Sequence, residues 1–193
     1  PREQREKQEN LTSTLKINLK TRKENNMGFD LTGLNPQSDT PEPKWTKSDP
    51  MIKTGKHSYA IDPQIKEEYD DYMRTKWAWQ DSTEGAYFRN NVWHWRPLWN
   101  FVSGCCSDIL TEKDIKSGYM NDGHRISKTK SKRIALRIRK RLKGGDVHAY
   151  ESWYTRKISK LPEDDWNKNY PFSIENVRAF EKFCESSGGF EIW

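Results

Sequence analysis

Residues 85–99 read GAYFRNNVWHWRPLW and place six rings, those of Tyr87, Phe88, Trp93, His94, Trp95 and Trp99, within fifteen positions. So much apolar area left in water would forfeit several kcal/mol of burial, so the segment either forms a core or builds a ligand surface. The chain around it is polar: 193 residues, 33% hydrophobic and 32% charged, with nine tryptophans. That balance requires a small aromatic core concentrated in a few segments, and the length suits one domain with room for an insertion. The tryptophans of the block are therefore expected to be core. The polar minority among them, Arg89, Asn90, Asn91, His94 and Arg96, is not explained by composition, and with the turn residues Asp122 and His124 it forms the candidate ligand site.

The net charge of +6 is unevenly spread. Residues 125–143 carry ten Lys or Arg and no acid, which leaves the remainder at −4. Ser127 is a plausible cap for a helix here, with Ile134, Ile138 and Leu142 recurring every four residues and Gly144-Gly145 ending it. Lys128, Lys132, Arg133, Arg137, Arg139, Lys140 and Lys143 are the candidate nucleic-acid contacts, positioned to track a phosphate backbone. A solvated helix face opposite an apolar stripe accounts for the same charges.

Other patterns outline a mainly helical α+β domain over residues 27–193. Phe29 and Leu31 alternate in a first strand that begins at Met27, and Phe190-Glu191-Ile192-Trp193 closes the chain as a strand able to pair with it. A sheet of two or three strands is expected. Asp62-Pro63 marks a helix start running to about Gln80, Arg96-Pro97 places proline in the first turn of a helix through Leu98, and Thr111-x-x-Asp114 has the form of a capping box. A helix from Asp146 and another capped by Ser173 follow. Residues 1–26 read as a polar extension, and about 39–83, with Pro41, Pro43 and Pro50, as a Pro-rich insertion pinned by Trp45.

Signatures of catalysis are sparse. His148-x-x-Glu151 does not match the zinc-deaminase pattern, and no HExxH, P-loop, GxSxG or GxGxxG occurs. Glu67, Glu68, Asp70 and Asp71 point in several directions on a helix, so no metal is expected there. Cys105, Cys106 and Cys184 suit neither a disulfide framework nor a zinc site and read as free buried thiols. No catalytic residue and no cofactor is assigned. The chain has no apolar run of about eighteen residues and no signal-like N-terminus, which gives an expectation of a cytoplasmic protein that does not engage membranes.

Three tracts resemble an uncharacterised family of small bacteriophage and bacterial proteins. Met27-Gly28-Phe29-Asp30 with Gly33 resembles the family's opening segment. Residues 87–99 follow a YFRNNVWxWRPLW tract and Asn121-Asp122-Gly123 a later turn. Residues 170–192 follow YPFSxENVxxFxxFxxxSGGFEI. The chain departs from the pattern in residues 1–26, in the 39–83 insertion and in lacking a cysteine-rich knuckle before Tyr170, so zinc is not implied. The resemblance implies a phage context, hence host cytoplasm, and a shared fold; together with the absence of catalytic signatures it gives the expectation of a non-enzymatic accessory protein that binds a host or phage protein or a small ligand, counter-defence included. A nucleic-acid-binding protein using residues 125–143 is the second expectation. An enzyme with an aromatic-lined pocket around Arg89, His94, Arg96 and His124 is the third. The pattern leaves the oligomeric state open.

Overall fold

Period-two alternation in Gly28–Gly33 (β1) buries Phe29 and Leu31 on one face and turns Asp30 and Thr32 to the other. The computed structural model to which this strand belongs describes residues 28–56 and 58–193; the polar extension expected over 1–26 and the strand start at Met27 lie outside them. The expected pairing of β1 with the closing strand is present. Leu31 faces Ile192 and Gly33 faces Phe190 of Phe190–Ile192 (β6), antiparallel. The sheet is wider than two or three strands. Tyr87–Asn91 (β4) joins the free edge of β1 and His124–Ile126 (β5) that of β6, giving the order β4-β1-β6-β5. Gly188 and Gly189, at φ 65° and 96°, make the turn that sends the chain from helix into β6, a conformation only glycine adopts without strain.

Helices cover one face of this sheet. Val92–Cys105 (α2), Lys128–Lys143 (α4) and Ile174–Ser186 (α6) bring Trp95, Trp99, Ile134, Ile138 and Phe180 to full burial against Leu31, Phe190 and Ile192. Trp95 stacks between Phe29 and Trp99, at ring-centroid separations of 5.4 and 5.3 Å. Both indoles also need partners for their N–H groups. They find them at the end of Glu112–Ser117 (α3), where Trp95 donates to the Gly118 carbonyl at 2.7 Å and Trp99 to that of Ile115 at 3.0 Å. The indoles thereby satisfy carbonyls that the helix C-terminus leaves open. Trp95 and Trp99 are core, as expected of the block, whereas Trp93 is only partly buried and packs on Trp166 and Tyr170 outside it.

Four helix starts follow sequence capping rules or correct them. Thr111 and Asp114 form a reciprocal capping box, while Ser127 and Ser173 accept the third amide of α4 and α6. The expectation for Pro97 fails. α2 begins at Val92, because the Asn91 side chain accepts the His94 amide at 3.0 Å, and Pro97 is the helix's sixth residue, where the ladder forgoes one amide donor. Asp146–Ser159 (α5) starts from Gly145 in the left-handed region, and a 3₁₀ turn at Trp166–Asn169 precedes α6.

The insertion folds as an arm. Met51–Lys53 (β2) pairs with Tyr59–Ile61 (β3), followed by Lys66–Ser82 (α1), which begins beyond Asp62-Pro63 and buries no residue. Trp45 holds the Pro-rich loop to α1 within the arm, packing on Tyr69 and Tyr72 at 5.3 and 5.5 Å. No helix among the described residues is long and apolar enough to cross a membrane.

Candidate functional site

Three of the polar residues in the tryptophan block are brought together, but as a bracket. Asn90, on the inner face of β4, donates to the Asn176 side chain at 2.9 Å; Asn176 in turn donates to the His94 carbonyl at 3.3 Å. Asn91 accepts from both the amide and the ring Nδ1 of His94. The network ties the edge strand to the N-termini of α2 and α6. Each amide is thereby occupied within the fold.

The remaining candidates lie apart from it. Arg89 projects from the opposite face of β4, where its Nε is 3.6 Å from the Asp30 carboxylate to which Tyr87 also donates. Arg96 is exposed on α2 and donates to the Tyr170 hydroxyl at 3.3 Å, beside the ring pair of Trp93 and Trp166. Asp122 is exposed in its turn. His124 sits on β5 at the far edge of the sheet. The cross-strand row Phe88, Leu31, Ile192, His124 puts about 14 Å between the two edges, so His94 and Arg89 do not share a pocket with His124.

His124 belongs to a second centre, of which the sequence displays only the helix cap. Its Nε2 lies 2.9 Å from Asp114 Oδ1, while Oδ2 accepts from Lys130 and from the Thr111 amide and hydroxyl, each of the latter at 2.8 Å. The Asp114 side chain is only 5% exposed. Burial alone would raise its carboxyl, but the Lys130 ammonium, the Thr111 donors and His124 outweigh burial and hold it well below the ordinary carboxylate value. Both carboxylate oxygens of Asp114 are engaged inside the protein. It cross-links α3, β5 and α4.

Cys106 and Cys184 are buried as expected, whereas Cys105 is only partly buried and its hydrogen bond with Cys106 lowers its thiol pKa. Hydrogen bonding to Cys105, 3.7 Å away, and burial push the Cys106 thiol up, and burial does so for Cys184. Among the described residues no group of three or more His, Cys, Asp or Glu is placed to hold a metal ion.

The basic helix divides into two sets of cations. Arg137 makes a bidentate pair with Asp108, at 2.9 and 2.8 Å, and donates to the Cys105 carbonyl; Arg133 stands 3.8 Å from the same Asp108. Arg139 pairs with Glu181 and Glu185 of α6, and Arg141 with Asp146. These side chains clamp α4 to its neighbours. Lys128, Lys132, Lys140 and Lys143 are exposed and have no ion pair among the described residues. Helical geometry puts these four within about one third of the circumference and about 22 Å end to end. Leu136 lies among them, 57% exposed.

Two concavities flank this lysine stripe. One of about 350 Å³ is lined by Lys128, Lys132, Glu84 and Glu185, and another of about 620 Å³ by Arg137, Lys140, Arg141 and Lys143. Sequence reasoning names all four lysines but does not separate them from the arginines, whose partners come from distant segments. It passes over Leu136, although a leucine two residues from both Ile134 and Ile138 falls opposite the buried stripe. No protein-family model, curated protein or solved structure matches the chain.

Proposed function

We propose that this is a non-catalytic binding protein whose recognition surface is the solvent face of α4 and whose ligand is a nucleic-acid backbone. The observation that carries the reading is the division of the cations. Four arginines are spent on intramolecular carboxylates, while four lysines in line have none among the described residues. Lysines presented as separate point charges over about 22 Å suit successive phosphates, read without sequence preference. Lys128 adds a second argument. It occupies the first turn of α4, where no acid is present and the helix dipole disfavours a cation, so stability does not account for it. The phage-like tracts support an accessory role in an infected cell, acting there on host or phage nucleic acid.

Leu136 favours a second reading, a host protein that offers an acidic helix with an apolar seam. Titration of a short labelled duplex across salt concentrations separates the two. Nucleic-acid binding predicts affinity that falls steeply with salt, and a log-log slope smaller by about 3 in a Lys128→Glu, Lys132→Glu, Lys140→Glu variant, roughly 0.9 for each phosphate no longer neutralised. Equal retention of DNA by this variant and the parent overturns it.

A further inference from the structure

We propose that the arm is a self-association element, in which β3 pairs with β3 of a second copy of the chain to complete a four-stranded sheet. An isolated two-stranded hairpin is marginal in water and gains independent stability from further strands or a covering helix. Among the described residues the β2–β3 hairpin has neither. Met51, Ile52 and Tyr59 are 44%, 39% and 60% exposed, and neither face is buried.

Its two edges are not equivalent. The bonds from Asp62 to Pro50 and from Thr54 to Ser58 set the ladder so that Met51, Lys53, Tyr59 and Ile61 direct their backbone groups outward. On β2 the Met51 amide is taken by the Asp49 carboxylate at 2.9 Å, and Lys53 guards the rest. On β3 the amides of Tyr59 and Ile61 have no partner among the described residues. The open edge is therefore β3.

A second copy fits that edge by symmetry. Antiparallel pairing about Ala60 sets Tyr59 of each copy opposite Ile61 of the other, the spacing at which both residues exchange their outward hydrogen bonds. Tyr59 and Ile61 share a face with Met51, so the aromatic and β-branched pairs join both copies' apolar residues into one row. The same register sets Ser58 of one copy opposite Asp62 of the other, so no like charges meet directly across the seam. The resulting dimer would present two lysine stripes, but its formation does not depend on what α4 binds.

Sedimentation of the full chain in buffer free of nucleic acid tests this. The parent is expected at twice the 22.9 kDa protomer mass at tens of micromolar, with amide exchange at Tyr59 and Ile61 slowing as concentration rises. Tyr59→Pro and Ile61→Pro each remove an amide that the hairpin itself does not use, and are expected to give monomers with an unchanged thermal transition. Lys53→Pro removes the equivalent amide from the β2 edge and should remain dimeric. A monomeric parent, or proline variants at β3 that stay dimeric, would overturn the proposal.

Discussion

The indole of Trp99 occupies the space that a side chain on Gly118 would need: a Cβ built there falls 2.0 Å from Trp99 Cε2. Gly118 has an ordinary helical φ of −66°, so the requirement is for space and not for conformation. Gly118→Ala is therefore expected to force the Trp99 ring or the α3 turn aside and cost about 3 kcal/mol. Denaturant unfolding of the two proteins checks it. A loss below about 0.5 kcal/mol would mean that the fit around Trp99 is loose.

Asp114 gives the protein an acid-sensitive joint. Its carboxyl titrates lower in the folded protein than the 3.8 of an ordinary aspartate, so between those values the unfolded chain binds the extra proton. Its stabilisation is thus complete well above pH 4 and is lost as pH falls through the folded value. Asp114→Asn should cost about 2 kcal/mol at pH 7 and flatten the dependence of stability on pH below about 4. Parallel losses of stability in parent and variant between pH 5 and 2 would remove Asp114 as the source.

Asn176 is the shared member of the amide bracket, bonded to Asn90 and to the His94 carbonyl. Asn176→Ala leaves both without that partner and should cost about 1–2 kcal/mol. Asn90→Ala in the same background should then add little, since the two act through one bond. Additive losses in the double-mutant cycle would show that the residues work separately.

Local rules make much of this fold legible. Thr111, Ser127 and Ser173 announce helix starts because capping is settled within four residues, and Phe29, Leu31, Phe190 and Ile192 announce a sheet because alternation is a local pattern. Tyr87–Asn91 and His124–Ile126 do not declare themselves as strands. Their residues pair with segments about 60 positions away, and neither alternates cleanly. The candidate site divides along the same line. The sequence displays ten basic residues in 125–143, but Asp108, Asp114 and Glu181 decide which of them are free, and no spacing rule connects those acids to the helix.

That division of charge leads to a variant whose stability and affinity should not fall together. Lys128 opens α4 beside Ser127, in a first turn whose amides already carry partial positive charge, and it makes no ion pair among the described residues. Lys128→Gln removes an unfavourable charge and should leave stability unchanged or raise it by about 0.3 kcal/mol. Arg137→Ala, which breaks a bidentate pair and a bond to the Cys105 carbonyl, should lower stability by about 1 kcal/mol. In duplex titrations the order reverses: Lys128→Gln weakens binding and reduces the salt slope by about 0.9, while Arg137→Ala leaves the slope near the parent value. A residue whose removal costs affinity without costing stability is retained for the ligand. A loss of about 1 kcal/mol or more in Lys128→Gln, with an unchanged salt slope, would instead make Lys128 a structural residue and withdraw it from the binding face.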